Sequence, residues 1–168
     1  MQKHAMIDLE TLSNTQRAAV ISIGVARFTA TEVMDVSYFA IAWDDQQRDV
    51  SRSTLEWWMG QSDDARHAAF ASEVERASTA EILRYYAWYL RDHFVWGNPA
   101  SFDLGILKSL YEDFRTSVPW DHYNERCFRT VRNGRDKPCL ATLPHDPAED
   151  ARAQAECLIE WNKERAFL

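Results

Sequence analysis

Hydrophobic positions follow two rhythms along the chain. In the first fifty residues they come as short runs rich in β-branched residues, and beyond Ser53 they recur at helical spacing. Ala5 to Ile7 is a short apolar stretch that delivers Asp8 and Glu10. Ala18 to Phe28 (AAVISIGVARF) reads as a buried strand with a small-residue interruption, and Val36 to Trp43 alternates well enough for a third strand. Short connections between these strands predict an antiparallel meander at the front of the chain. Few residues precede Asp8, which predicts thin pairing for the first strand. Asp44 to Asp49 is polar and turn-like.

Ser53 followed three residues on by Glu56 is a capping-box pattern ahead of Trp57 and Trp58, and helical composition continues intermittently to Ala77. Thr79 begins a cleaner helix, with Ile82, Leu83, Tyr86, Leu90 and Phe94 at helical spacing. Gly97-Asn98-Pro99 breaks the pattern, and a brief strand from Val95 to Gly97 precedes it. Phe102 to Phe114 predicts a helix with Leu104, Leu107, Leu110 and Tyr111 on one face. Residues 126–138 are basic and irregular, and Pro147 starts a last helix that runs to about Arg165. Strands in a front meander, then alternating helix and strand, describe a mixed α/β fold. With no internal repeat, linker or second core, residues 1–168 make a single domain.

Composition narrows the function classes. At 46% hydrophobic and 27% charged the chain can bury a core, so wholesale disorder is excluded. Its net charge of −7 disfavours a protein that grips nucleic acid by bulk electrostatics, because counterion release needs Lys and Arg. A site that recruits its own cations through carboxylates stays open. No apolar run approaches the roughly 20 residues that span a bilayer, so no membrane association is expected. Gln2, Lys3 and His4 run straight into Asp8 and Glu10, which breaks any signal-peptide pattern. Cys127, Cys139 and Cys157 are odd in number and form no CxxC pair, which predicts unpaired thiols in a reduced, cytoplasmic chain.

Three short features carry chemistry. Asp8 and Glu10 lie two apart in a strand and so share a face, where they can chelate one divalent cation from a rigid element. A strand ending in a solvated acidic turn would carry the same residues. Asp103 follows the breaker cluster and opens a helix. There it is either an acid favoured by the helix dipole or, if the Val95 strand lies beside the Asp8 strand, a carboxylate within reach of the same cation. His145 and Asp150 are set in HDPAED, the histidine just before a helix and the aspartate about one turn inside it. The plain alternative is a polar loop histidine and a dipole-favouring acid. His145-Asp146 also matches the metal-binding dipeptide of phosphohydrolases, but His4, His67, His93 and His122 lack the spacing of the remaining ligands.

As a set, Asp8, Glu10, Asp103 and Asp150 offer only oxygen ligands, which suit Mg²⁺ or Mn²⁺ rather than zinc. Four converging acids repel one another without cations. Two cations about 4 Å apart would neutralise them and clamp a phosphate for in-line displacement. His145 is then the nearby group whose ordinary pKa suits a general base near neutral pH.

MIDLETL, AAVISIGVARF, GNPASFDLGIL and HDPAEDARAQA, in that order, resemble the DEDDh-type 3′–5′ exonuclease superfamily on a ribonuclease-H-like fold. STLEWWMGQSDDAR and CFRTVR are most similar to its small prokaryotic and phage 3′–5′ exoribonuclease domains. The resemblance implies a ribonuclease-H-like mixed sheet with an antiparallel front meander flanked by helices. It implies that Asp8, Glu10 and Asp150 hold the cation bearing the attacking water, and that Asp8 bridges to a second one completed by Asp103. His145 would take the water's proton. Thr11 and Leu12 would border the 3′-terminal nucleotide, and nucleoside 5′-monophosphates would leave from the 3′ end. Relatives commonly dimerise, and the aromatic surplus would suit a homodimer interface.

Trp57 and Trp58 fall near the expected mouth of the site, and one of them, assigned as Trp58, would stack on a base. Adjacent helical tryptophans can equally be split between core and surface. Gln61 and Arg66 on the same segment would contact sugar or phosphate. Arg126, Arg129, Arg132 and Arg135 recur every third residue before Lys137, either as a phosphate track or as structural arginines, with Arg129 favoured as structural because Phe128 and Val131 flank it. The expected activity is therefore cation-dependent 3′–5′ exonuclease action on single-stranded RNA. A single-strand DNA exonuclease of phage type and a catalytically retired nucleic-acid-binding module are the rivals. An aspartyl-phosphate phosphatase is a weaker one, because it wants a D-x-D motif where this chain has Glu10.

Overall fold

A computed structural model describes residues 2–71, 74–135, 139, 145–164 and 166–168. Five strands form one mixed sheet in the order β3-β2-β1-β4-β5: β1 His4–Thr11, β2 Val20–Phe28, β3 Val33–Ala40, β4 Phe94–Gly97 and β5 Glu125–Cys127. β1, β2 and β3 pair antiparallel as the expected meander, while β4 and β5 add in parallel beside β1. This is the ribonuclease-H-like layout. The first strand is not thinly paired: it bonds to β2 from His4 onward and to β4 on its other side.

Strand alternation sorts β1 between two cores. Ala5, Ile7 and Leu9 face one cluster with β2 residues Ile23 and Val25. Against it pack α3 (Thr79–Tyr89), through Ile82, Leu83 and Tyr86, and α4 (Ala100–Asp113), through Leu104, Leu107, Leu110 and Tyr111. Met6 faces the other way with Ala26 and Phe28, under α6 (Pro147–Glu164) through Ala151, Ala155 and Leu158. Asp8 and Glu10 continue the Met6 face to the strand end, beneath the start of α6. The alternation that buries the core thus carries both acids to one edge.

α1 (Arg52–Met59) and α2 (Asp63–Phe70) close a third, smaller cluster around Trp58, Leu12 and Ile21. Several boundaries differ from expectation. Ser51, not Ser53, caps α1, its hydroxyl accepting from the Thr54 N–H. Phe94 belongs to β4 rather than to the helix before it, which ends at Tyr89. The basic stretch is ordered in its first part as β5 and α5 (Phe128–Asn133); residues 136–138, Lys137 among them, and Arg165 lie outside the described residues. The thiols are not all unpaired. Cys139 and Cys157 form a disulfide with Cα atoms 5.7 Å apart, and Cys127 is free. Folding brings Cys139 against α6, a proximity that 18 residues of sequence separation conceal.

Among the described residues no helix is long and apolar enough to cross a membrane.

Candidate active site

Three elements and the turn before α6 deliver five side chains to the C-terminal end of β1. Asp8 and Glu10 come from β1, and Asp103 comes from the first turn of α4. Asp150 comes from the first turn of α6, and His145 lies two residues before that helix begins. Each acid is held differently. Asp103 is buried and accepts from the Leu9 N–H at 3.2 Å and the Asn98 N–H at 2.6 Å, so it ties β1 to the β4–α4 turn. Asp8 Oδ1 accepts from Gln154 Nε2 at 2.9 Å. Asp150 is buried with Oδ1 lacking any partner among the described residues. Glu10 Oε1 stands 3.9 Å from His145 Nδ1.

Two glycines make the convergence possible. A Cβ on Gly24, which pairs with Asp8 across β1 and β2, would lie 2.1 Å from the Pro147 carbonyl carbon; its absence lets α6 begin directly over the sheet. A Cβ on Gly97 would sit 3.0 Å from the Asp103 Cβ, so the end of β4 leaves room for that carboxylate. Asp146 starts α6, its Oδ1 accepting from the Ala148 and Glu149 N–H groups. His145 just before it has φ 59°, a left-handed conformation uncommon for a residue with a side chain. Its ring meets Trp57 edge-on at 4.9 Å between centroids.

The electrostatics are those of crowded carboxylates. Burial first, and the Asp8 charge next, push Glu10 up to about 9. Burial raises Asp103 to about 7 against the opposing effect of its N–H donors. Burial and then Asp8 raise Asp150 to about 7. Asp8 is raised well above the ordinary carboxylate range, by burial and then by Asp103, with the Gln154 hydrogen bond opposing. Burial lowers His145, so it is neutral and able to accept a proton near pH 7. Ligand atoms of Glu10, His145 and Asp150 all lie within 4.8 Å of one another, a cation-sized grouping.

Two cavities open onto this cluster. One of about 350 Å³ is lined by Leu9, Glu10, Thr11, Asn14, Trp57 and Phe102, with Ser53 and Thr54. The other, about 590 Å³, shares Asn14, Trp57 and Phe102 and adds Asn98, Arg129 and His145. Thr11 lines the smaller cavity, whereas Leu12 does not: it is buried against Trp58, and Leu9 takes the lining position. Trp58 is likewise inward, 2% exposed, with Nε1 donating to the Thr11 carbonyl. Trp57, 44% exposed, faces the cavities in its place. Gln61 bonds the Trp57 carbonyl, and Arg66 holds the Met59 carbonyl and pairs with Asp63; neither lines a cavity.

The evenly spaced arginines diverge rather than form one track. Arg126 lies over the Phe94 ring and Arg135 over Trp161 and Phe167, while Arg129 alone of these reaches the site. Gln154 went unrecognised in the sequence, although it stands four residues after Asp150 on the same helix face.

A family model for the 3′–5′ exoribonuclease Rv2179c-like domain matches residues 3–161. An exodeoxyribonuclease of Enterobacteria phage T4 is 27% identical over 128 residues, which are 66% of this chain and 56% of that protein. The chain thus spans little more than half the length of this curated relative. The nuclease domain of 3′hExo, a DEDDh family member solved with rAMP, superposes with a TM-score of 0.61 at 11% identity, covering 98% of this chain and 94% of that one. E. coli exonuclease I in complex with a dT13 oligonucleotide gives a TM-score of 0.62 at 14% identity, over 98% of this chain and 41% of that one. At such identities these structures speak for the fold.

Proposed function

Because this chain belongs to the 3′–5′ exoribonuclease Rv2179c-like family and is an exonuclease, a hydrolase, we propose that it removes nucleoside 5′-monophosphates from the 3′ end of single-stranded RNA, using two divalent cations, Mg²⁺ or Mn²⁺. The observation that carries the reading is the convergence of Asp8, Glu10, Asp103, Asp150 and His145 at one strand end beside two cavities. A retired binding module would have no need to keep all five.

The residues fit the cations. The donors are hard oxygens, and Asp150 Oδ1 is buried with no partner among the described residues, as a ligand atom of a cation would be. Asp8, Glu10 and Asp150 would hold one ion, and Asp8 with Asp103 a second. Bound there, the pair would acidify the attacking water and neutralise charge on the phosphate.

The chain's own groups do the rest. His145 Nδ1 lies 3.9 Å from Glu10 Oε1, close enough for a water beside the pair to bond to both, and would accept that water's proton. Leu9, Thr11, Trp57 and Phe102 wall the smaller cavity, which takes the terminal nucleoside and fixes its phosphate over the acids. The water oxygen bonds to phosphorus as the bond to the preceding nucleotide's O3′ breaks, and that oxygen leaves with the shortened chain, taking a proton from solvent water.

A DNA substrate is the second reading, favoured by the phage relative, whose name is exodeoxyribonuclease. Degradation of 3′- and 5′-labelled single-stranded RNA and DNA, with Mg²⁺, Mn²⁺ or EDTA, tests both. Cation-dependent release of 5′-monophosphates from the 3′ end is expected, with RNA the faster. Faster cleavage of DNA would favour the second reading, and cleavage of neither polymer by folded protein would overturn both.

A further inference from the structure

The larger cavity contains a cation that the reaction chemistry does not use. Arg129 is the one guanidinium among the described residues that line either cavity; the rest of the larger cavity's lining is neutral polar groups, aromatics, Pro99 and His145, and Glu10 lines the smaller one. It is also anchored. Nη2 donates to the Asn98 carbonyl at 3.0 Å and Nε approaches Asn98 Oδ1 at 3.4 Å, while Nη1 makes no hydrogen bond among the described residues. Asn98 in turn gives its N–H to Asp103, so the guanidinium sits one residue away from the acid cluster; its charge acts on Asp103, yet it makes no direct ion pair with a carboxylate among the described residues.

A polymer bound for removal of its 3′ nucleotide places more than one phosphate near this site. The scissile phosphate belongs over the four acids. With the terminal nucleoside in the smaller cavity, the preceding nucleotide passes into the larger one, since Asn14, Trp57 and Phe102 wall both. Its own 5′ phosphate then enters a cavity whose lining supplies one fixed positive charge, Arg129. We propose that Arg129 is the counter-ion for the phosphate immediately 5′ of the scissile one, which makes the larger cavity the seat of the penultimate nucleotide. A planar fork with one edge held by Asn98 presents its remaining donor to a phosphate oxygen at little conformational cost. This rests on the exonuclease reading above.

The test compares wild type, Arg129→Ala and Arg129→Lys for binding of a fluorescent single-stranded oligonucleotide in Ca²⁺ across a salt series. A second oligonucleotide carries a neutral methylphosphonate in place of the phosphate one linkage 5′ of the scissile bond. One phosphate contact to a single strand contributes about 0.7 to the slope of log K against log salt. Arg129→Ala should lower the slope by about that amount and weaken binding roughly tenfold, and Arg129→Lys should restore the slope. The methylphosphonate should do the same to wild type, with no further loss when combined with Arg129→Ala. An unchanged slope, or losses that add, would overturn the proposal, because Arg129 would then be bracing Asn98 or touching another phosphate. Wild type that cleaves neither polymer in Mg²⁺ or Mn²⁺ would overturn the exonuclease reading itself, whereas wild type that cleaves while the slope stays fixed overturns only the role of Arg129.

Discussion

Gln154 donates its side-chain N–H to Asp8 Oδ1 at 2.9 Å from within α6, where it is fully buried. The amide's other end, Oε1, has no partner among the described residues. A buried amide with one end unsatisfied costs stability, so its use lies in aiming the Asp8 carboxylate rather than in holding the helix. Groups that orient a cation's ligands typically matter 10- to 100-fold for affinity or activity. Gln154→Leu should therefore weaken Mn²⁺ binding by a factor of that order in calorimetry, with the melting temperature of the metal-free chain unchanged or raised. Equal affinity in the variant would mean that Asp8 is held by its strand alone.

The acid cluster predicts how the metal-free chain responds to pH. A carboxyl whose folded-state pKa exceeds its unfolded value adds stability that is complete below the unfolded value and is lost as pH rises through the folded one. Asp103 and Asp150 near 7 and Glu10 near 9, against ordinary values of 3.8 and 4.5, put that loss between about pH 4 and 9. In EDTA the melting temperature should fall steadily from pH 5 to pH 9. Adding Mg²⁺ should raise it markedly at pH 8 and little at pH 5, and Glu10→Gln should flatten the decline above pH 7. A flat profile in EDTA would show that the acids are not mutually strained.

Much of this site was legible because it follows from local periodicity. Period two puts Asp8 and Glu10 on one strand face, and a proline at the first helical position phases Asp150 against His145. Other features depend on long-range approach, which local pattern does not carry. Whether Trp57 or Trp58 turns inward depends on which side of α1 meets the cluster of Leu12 and Ile21. The Cys139–Cys157 bond depends on where Cys139 comes to lie against α6. Ser51 and Ser53 carry the same hydroxyl, and the tertiary path selects the earlier one as cap.

The tryptophan pair separates binding from stability. Trp57 is exposed beside His145, and stacking on a base is worth about 1–3 kcal/mol. Trp57→Ala should weaken oligonucleotide binding roughly 5- to 150-fold while leaving the melting temperature within a few degrees. Trp58→Ala removes a buried ring and the hydrogen bond to Thr11, a loss of about 3–5 kcal/mol for such truncations. At about 2–4 °C per kcal/mol for a chain of this size, its melting temperature should drop by roughly 6–20 °C. Thermal melts and anisotropy on the two variants check this, and an exchange of the two phenotypes would sink it.

Gly24 tests whether the packing of α6 on the sheet sets the site. Its partner across the ladder is Asp8, and a methyl group there would overlap the Pro147 carbonyl and the Ala148 nitrogen. These are backbone atoms, so no side-chain rotation relieves the clash. Helix α6 must lift at its first turn, the part that carries Asp150 and follows His145. Overpacking of this kind costs about 1–3 kcal/mol or somewhat more, a fall of roughly 2–12 °C in melting temperature. The functional loss should be larger than the stability loss, because a displacement near 1 Å in a reacting constellation is worth about 100-fold. Gly24→Ala should accordingly remain folded at 25 °C yet turn over at least 100-fold more slowly, with Mn²⁺ affinity reduced in parallel. A variant that melts lower but keeps its rate would show that the acids follow the helix without losing register.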